Sequence, residues 1–401
     1  MAESSVKKTS RIEEDRISKL PQNVRETILC FMPIEDAVRT SILSKKWRHC
    51  WTMMPHLIFD EEFVNRILRK LGRDGDDRLN AYGLVSRINK IILLHKGPIL
   101  KFSFTIPYYN PHYNCDAQLL HDFIDQWIPL LSVRGTKEVI LDDYLLRHVT
   151  AHHFSSLDLT HLRLISVWFP YKPTFGRFTH LKILELVHAH YTDDAYSFKK
   201  NIFDCPVLEK LSLILSRDFL KVIFRFSFRL PYLAKGGCPN RLSKSLPYLK
   251  TLSIADIHFT HLSEVSCLLC MIRSAPNLCK LYISDCDDEN CDGENDLQNY
   301  RIEDSEDCTT TGHLQIVSFN YFRGLRAELE LVKFVLAHSP LLKTMFIHRH
   351  RDVSIKSGVA LKLTEEILQY PRASTIAQVK HLEHSIEIDA FDDELWCGYE
   401  I

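Results

Sequence analysis

Three places in the 401-residue chain hold residue types whose spacing could carry chemistry. Cys267-Leu268-Leu269-Cys270 has the spacing of half a zinc site. It lies in an apolar helical run with no second pair at a suitable distance, so two core thiols are expected. Asp288, Asn290, Asp292 and Gly293 fall at the first, third, fifth and sixth positions of a calcium loop. The twelfth position is Asn299, where a bidentate Glu is required, and no flanking helix pair is evident. His348-Arg349-His350-Arg351 could meet phosphate, but four residues beside an expected strand read as a solvated edge. The 20 histidines are otherwise scattered singly or in pairs such as His152-His153, and no H-E-x-x-H helix or G-x-S-x-G elbow occurs. The expectation is no catalytic residue, no metal and no cofactor.

Composition points the same way. Glycine is scarce, 13 in 401 residues, about half the usual share of roughly 7%. Phosphate-cradling loops need backbone without a Cβ, and neither G-x-x-x-x-G-K-[ST] nor G-x-G-x-x-G occurs. A nucleotide-dependent enzyme is disfavoured. Fifty basic and 51 acidic side chains leave a net charge of -1, so no global field draws the chain to nucleic acid or an anionic membrane. Residues 1–16 are polar, which argues against a secretory leader, and no apolar run reaches the ~18–20 residues that span a bilayer. The twelve cysteines are then expected as free thiols. The chain reads as intracellular, in the nucleus and/or cytoplasm, with no nucleic-acid or membrane partner.

The elements fall into three zones. At the N-terminus, Pro21 suits a first helical position and is followed by Val24, Ile28 and Phe31; after Pro33, Ile34, Val38 and Ile42 share a face. Ser44 suits the N-cap of a third helix carrying Trp47, Cys50 and Trp51. Leu20, Ile28, Leu29, Met32, Ile34 and Leu43 are more apolar residues than so small a core can bury. They either pack on the domain that follows or form a surface completed by a partner.

This segment resembles an F-box of the plant form. The matching residues are Asp15, Arg16, Ile17, Ser18, Leu20 and Pro21, then Asp36 through Ser41, Leu43, Ser44, Lys45, Trp47 and Arg48. In that family the helices dock on the Skp-type adaptor of a cullin–RING ubiquitin ligase. The resemblance implies Leu20, Pro21, Ile28, Leu29, Pro33, Ile34, Val38 and Leu43 as adaptor contacts. One departure is Gln22-Asn23-Val24-Arg25, where relatives carry an acidic residue soon after the proline.

From about residue 99 to 350 a weak repeat recurs. Leu159-x-x-Leu162-x-Leu164 returns at Leu181, Leu208, Leu249, Leu278, Leu314 and Leu342, with a mean spacing of about 30 residues. Pro206, Pro247, Pro276 and Pro340 stand two residues before four of these anchors, where a proline ends a helix and starts a strand. Helix, proline, short strand and loop, repeated, describe an α/β solenoid of irregular leucine-rich repeats. The rival, an open α/β enzyme sheet, wants glycine-rich turns at its strand ends. Alternation sends the middle residue of each L-x-L strand away from the core. Arg163, Glu185, Tyr282 and Phe346 are thus expected on an open concave face that binds substrate; Ser212, Ser253 and Ser318 share that face, where they contact substrate or are merely solvated.

Residues 319–347, followed by 365–374, resemble the FBD module that follows an F-box and leucine-rich repeats in plant proteins. It reads as one more helix–strand repeat plus a capping helix ending at Tyr370-Pro371. The expected organisation is a flexible tail at 1–10, a trihelical all-α F-box at 11–55 and a helical linker at 56–98. Leucine-rich repeats follow at 99–310 with an acidic loop over 285–310, then an FBD cap at 311–385 and a tail at 386–401. The order implies a non-catalytic substrate-recognition subunit of a Skp–cullin–F-box ubiquitin ligase, with an unidentified protein substrate. The alternative is a leucine-rich-repeat scaffold for protein assembly with no ligase role.

Overall fold

A computed structural model describes residues 17–71, 77–106, 117–142, 154, 157–165, 168–169, 178–191, 205–215, 241–242, 245–286, 301–302, 311–351 and 357–382. The calcium-loop residues between Asp288 and Asn299, Asp15 and Arg16, and the expected tails at 1–10 and 386–401 lie outside these.

The N-terminal prolines do local work. Pro21 and Pro33 directly precede α1 (Gln22–Leu29) and α2 (Ile34–Arg39), with φ of -54° and -53°. Glu35 and Asp36 lie in the first turn of α2 and Arg39 in its last, each favourable to the helix dipole. The expected third helix does not form. In its place stand 3-10 turns at Thr40–Ile42 and Cys50–Met53, joined by irregular turns. Arg25 explains how so short a segment holds together. It is buried, its Nε donates to Leu20 O at 3.2 Å, its Nη1 donates to Lys46 O, and its guanidinium lies 5.9 Å from the Trp47 ring.

Strands then follow one another across a single parallel sheet. They are β1 (His56–Phe59), β2 (Lys101–Thr105), β3 (Glu138–Asp142), β4 (His161–Ile165), β5 (Trp168–Phe169), β6 (Ile183–Tyr191), β7 (Lys210–Leu215), β8 (Thr251–Ile257), β9 (Lys280–Asp285), β10 (Ile316–Phe322), β11 (Thr344–Arg349) and β12 (Gln378–Leu382). Apart from β5, which pairs only with β6, the spatial order is the chain order. Crossover helices return the chain to the start of the next strand: α3 (Glu61–Leu71) and α4 (Asp77–Leu94) after β1, and α5 (Ala117–Val133) after β2. Likewise α6 (Leu262–Ser274) follows β8, α7 (Arg326–His338) follows β10, and α8 (Ser357–Leu368) follows β11. Two boundaries differ from those expected. The sheet begins at β1, inside the expected linker, because His56–Phe59 pairs in register with Lys101–Phe104. After α8 the chain adds a terminal strand, β12, beside β11.

Every anchor of the seven-fold pattern, from Leu159, Leu162 and Leu164 to Leu342, Met345 and Ile347, is buried in one continuous core. In β2 and β3, Phe102, Phe104, Val139 and Leu141 are buried in the same way, whereas Leu100, just before β2, is exposed beside a buried Ile99. Two of the four prolines act as expected among the described residues: α6 and α7 end two residues before Pro276 and Pro340. A shared turn then leads to the anchor, whose N–H donates to the residue three back in Leu208→Cys205, Leu249→Leu246, Leu278→Ala275 and Leu342→Ser339, at 3.2–3.3 Å. The F-box segment joins the same core through Leu29, Ile34, Ala37, Trp47 and Trp51.

Cavity formation at a strand centre separates anchors from look-alikes. Leu281→Ala is expected to cost about 3 kcal/mol in urea unfolding, and Leu100→Ala less than about 1 kcal/mol.

Candidate functional site

The F-box segment divides its apolar residues sharply. Leu29 and Ile34 are buried in the core, which makes them the least accessible of the expected adaptor contacts. Leu20 and Val38 are half-buried, while Pro21, Ile28, Pro33 and Leu43 are exposed. The most open apolar side chains of this segment are Ile42 at 87% and Phe31 at 86% exposure, followed by Leu43 and Ile17. Helical periodicity had placed Ile42 with Ile34 and Val38. The turn at Thr40–Ile42 tightens the backbone and swings Ile42 outward. The segment is also fixed to the rest of the molecule: Arg66 of α3 pairs with Glu35 at 3.0 Å and Asp36 at 3.8 Å, and Lys70 reaches Glu35 at 3.8 Å.

The opposite face of the sheet from the leucine anchors carries one row in register: Ser103, Ile140, Arg163, Glu185, Ser212, Ser253, Tyr282, Ser318, Phe346 and Lys380. The row forms as the alternation predicts, but its exposure does not. Arg163 is half-buried, whereas Glu185, Tyr282, Phe346 and the three serines are buried. Rows only ~4.8 Å apart let large side chains cover their neighbours. Tyr282 packs in a small cluster with Val187, Ile214 and Ala255. Lys380 Nζ lies 5.5 Å from the Phe346 ring.

Beside that row runs an ion network that the sequence reading did not foresee. Glu185 receives Arg163 and Lys210 at 3.3 Å each and His161 Nε2 at 3.5 Å. His161 Nδ1 reaches Glu138 at 3.2 Å, and Lys101 reaches it at 2.8 Å. The hydrogen bond from His161, with help from Lys101, holds the Glu138 carboxyl down to about 2 despite burial. Burial pulls His161 down, but its bonds to Glu138 and Glu185 outweigh that and leave it above its ordinary value. Burial likewise opposes ionisation of Glu185, and His161, Lys210 and Arg163 overcome it.

A second polar cluster sits at the C-terminal ends of β8, β9 and β10. Asp285, at the edge of the expected acidic loop, is buried and closes β9 level with Ile257. Burial raises its carboxyl to about 6, against the attraction of Arg323, whose Nε lies 3.4 Å away. Glu328 at the start of α7 is pushed well above the ordinary range by burial and then by Asp285. It accepts from Leu325 N at 2.7 Å and from Arg323 N at 3.2 Å. Next to these, His258, His261 and Glu264 bring their ligand atoms within 4.8 Å of one another. The reading of histidines as scattered is corrected here: H-x-x-H-x-x-E across a helix start was the available signal. Cys267 and Cys270 are buried in α6. His348 and His350 are also buried, and Arg349 donates to Thr364 at 2.7 Å, so the basic cluster is not a solvated edge.

Two family models match the chain: F-box domain over residues 17–59 and FBD over residues 311–347. The chain carries an F-box and an FBD module. Its relatives keep both parts: an F-box/FBD/LRR-repeat protein of Arabidopsis thaliana is 29% identical over 443 aligned residues, 92% of this chain and 99% of the relative. Another of that name and organism is 30% identical over 212 residues, 51% of this chain and 43% of the relative. An FBD-associated F-box protein of the same plant is 22% identical over 369 residues, 86% of this chain and 77% of its own length. Among the described residues, no helix is long and apolar enough to cross a membrane.

The ion network sets a pH window. The lowered Glu138 contributes stability that is complete above the ordinary carboxylate value of about 4.3 and is lost as pH falls towards about 2. The raised His161 contributes stability that is complete below about 6.5 and is lost as pH climbs through its higher folded value. Urea unfolding of the Glu138→Gln chain against the parent should differ most between about pH 4.5 and 6.5, by about 1–2 kcal/mol. The gap should shrink on both sides.

Proposed function

We propose that the chain is a substrate-recognition adaptor of a Skp–cullin–F-box ubiquitin ligase. Its F-box binds a Skp-type adaptor, and through it the cullin–RING ligase. The sheet and its crossover helices are the leucine-rich-repeat solenoid that holds a protein to be ubiquitinated. The observation that carries this reading is the F-box match joined to two large apolar side chains, Phe31 and Ile42, left almost fully in solvent on that segment. Isolated exposed apolar residues are ordinary, but Ile17, Phe31, Ile42 and Leu43 together within 27 residues of one small domain call for a partner.

The mechanism is proximity. A bound substrate has its lysines held at high local concentration near the conjugating enzyme, and this chain makes and breaks no bonds. The solenoid reading draws support from the seven buried anchor sets, the repeated turn into each strand and the LRR in the relatives' names. Within it, Arg163 is the substrate-contact candidate nearest solvent, held by Glu185 of the adjacent strand at 3.3 Å, while Tyr282 and Phe346 are buried further along the same row.

Co-expression with a panel of plant Skp-type adaptors, followed by size-exclusion chromatography, tests the reading. A one-to-one complex is expected, weakened at least about 100-fold by Phe31→Ala with Ile42→Ala. Ile34→Ala serves as contrast, lowering stability by about 2–4 kcal/mol because it empties a core position. A folded chain that captures no adaptor overturns the proposal in favour of an assembly scaffold.

A further inference from the structure

The starts of α6 and α7 follow one design with one difference. In each, the third helical residue is a buried glutamate that turns back on the loop before it: Glu264 in α6 and Glu328 in α7. In each, the residue just after the strand donates its backbone N–H to that carboxylate, His258 to Glu264 at 2.9 Å and Arg323 to Glu328 at 3.2 Å. In α7 the box is closed by a second backbone donor, Leu325 N at 2.7 Å. In α6 it stays open. Glu264 is only 4% exposed, yet its Oε1 is buried without a hydrogen-bond partner. The residue preceding the helix, Leu325 in α7, is His261 in α6, and its Nδ1 stands 3.9 Å from that oxygen. The residue after the strand is His258, whose Nδ1 lies 3.3 Å from Glu264 Oε2. Two imidazoles thus flank this carboxylate, His258 at Oε2 and His261 at the spare Oε1, where the sister loop has an arginine and a leucine.

We propose that His258, His261 and Glu264 form a divalent transition-metal site of the zinc type. Tetrahedral coordination with bonds of ~2.0–2.1 Å sets its ligand atoms about 3.3–3.4 Å apart. The three ligand atoms lie within 4.8 Å of one another, with His258 Nδ1 3.3 Å from Oε2 and His261 Nδ1 3.9 Å from Oε1, and rotation of His261, which is 45% exposed, and of the carboxylate closes the remaining gap. Two nitrogens and one carboxylate oxygen suit Zn²⁺ better than calcium or magnesium, which prefer all-oxygen shells. Three protein ligands leave a fourth position, which opens on the His261 side to water or to a side chain of a partner. A bound ion gives Glu264 Oε1 the partner it lacks and ties the β8–α6 loop down. The proposal is independent of adaptor binding.

The test uses the full chain, treated with chelator, dialysed and titrated with ZnCl₂ by calorimetry, with metal content measured after desalting. One equivalent is expected to bind, and saturating Zn²⁺ should raise the melting temperature. His261→Ala and Glu264→Gln should each weaken binding at least about tenfold and abolish the thermal shift while the far-ultraviolet dichroism stays unchanged. Glutamine retains an oxygen for the His258 N–H, so the helix start survives. His313→Ala, at an exposed histidine elsewhere, should bind as the parent does. Co²⁺ should give visible bands of a four-coordinate nitrogen–oxygen site. Absence of binding, equal binding by the His261→Ala chain, or Co²⁺ spectra dominated by thiolate charge transfer would overturn the assignment.

Discussion

One chain of backbone hydrogen bonds orders the molecule. The residue entering each strand donates its N–H to the carbonyl of the residue entering the strand before. The line runs from Leu100 through Lys137, Thr160, Lys182, Glu209, Lys250, Cys279, Gln315 and Lys343 to Gln378, with N–O distances of 2.8–3.0 Å. Each link fixes the height at which its strand joins the sheet. The leucines that follow at fixed offsets then meet a common core, and the residues between them meet a common outer row. Connections of very different length are tolerated because only the entry point must be met.

At the far end of the strands the order is broken at regular places. His188, Asp256 and Tyr321 take up left-handed backbone, with φ of 47°, 60° and 56°. Each is the sixth residue of its strand, at or within a register shift in β6, β8 and β10. Left-handed backbone costs a side-chain-bearing residue about 1–2 kcal/mol. The extra residue turns Ile257 and Phe322 back into the core. The unbulged neighbour β9 brings Asp285 to the same level, which is how a carboxylate comes to be buried beside Arg323 and Glu328. Parallel sheets place ligands at this end of their strands, and Asp285, Arg323, Glu328 and the His258–His261–Glu264 cluster gather there too.

The sequence carried the anchors clearly because burial of leucine at fixed offsets leaves a period that survives irregular spacing. It carried the F-box as a pattern of residues, and the turn structure less well. The loss of the third helix follows from Arg25, which reaches from Leu20 to Lys46 and Trp47 and makes tertiary contacts do what helix propensity would otherwise do. Exposure on the outer row was misjudged for Glu185, Tyr282 and Phe346, since alternation gives a side chain's direction and not what its neighbours across strands will cover. The histidine–glutamate cluster was invisible for a related reason. His258 and His261 lie on a loop whose path is set by Glu264, and only the folded loop brings the three together.

The ion pairs from Arg66 and Lys70 to the second helix, and the core shared between that helix and the first strands, have a consequence for geometry. They remove the hinge that a helical linker would have supplied. The N-terminal segment and the sheet then behave as one calibrated arm, graduated in steps of about 4.8 Å per strand. Counted across the six pairings from β1 to β8, the histidine loop stands about 29 Å along the sheet from its first strand. Whatever is gripped at a given strand is presented at a set offset from whatever grips the first helices. Adding or deleting one strand–connection unit would move it by one graduation.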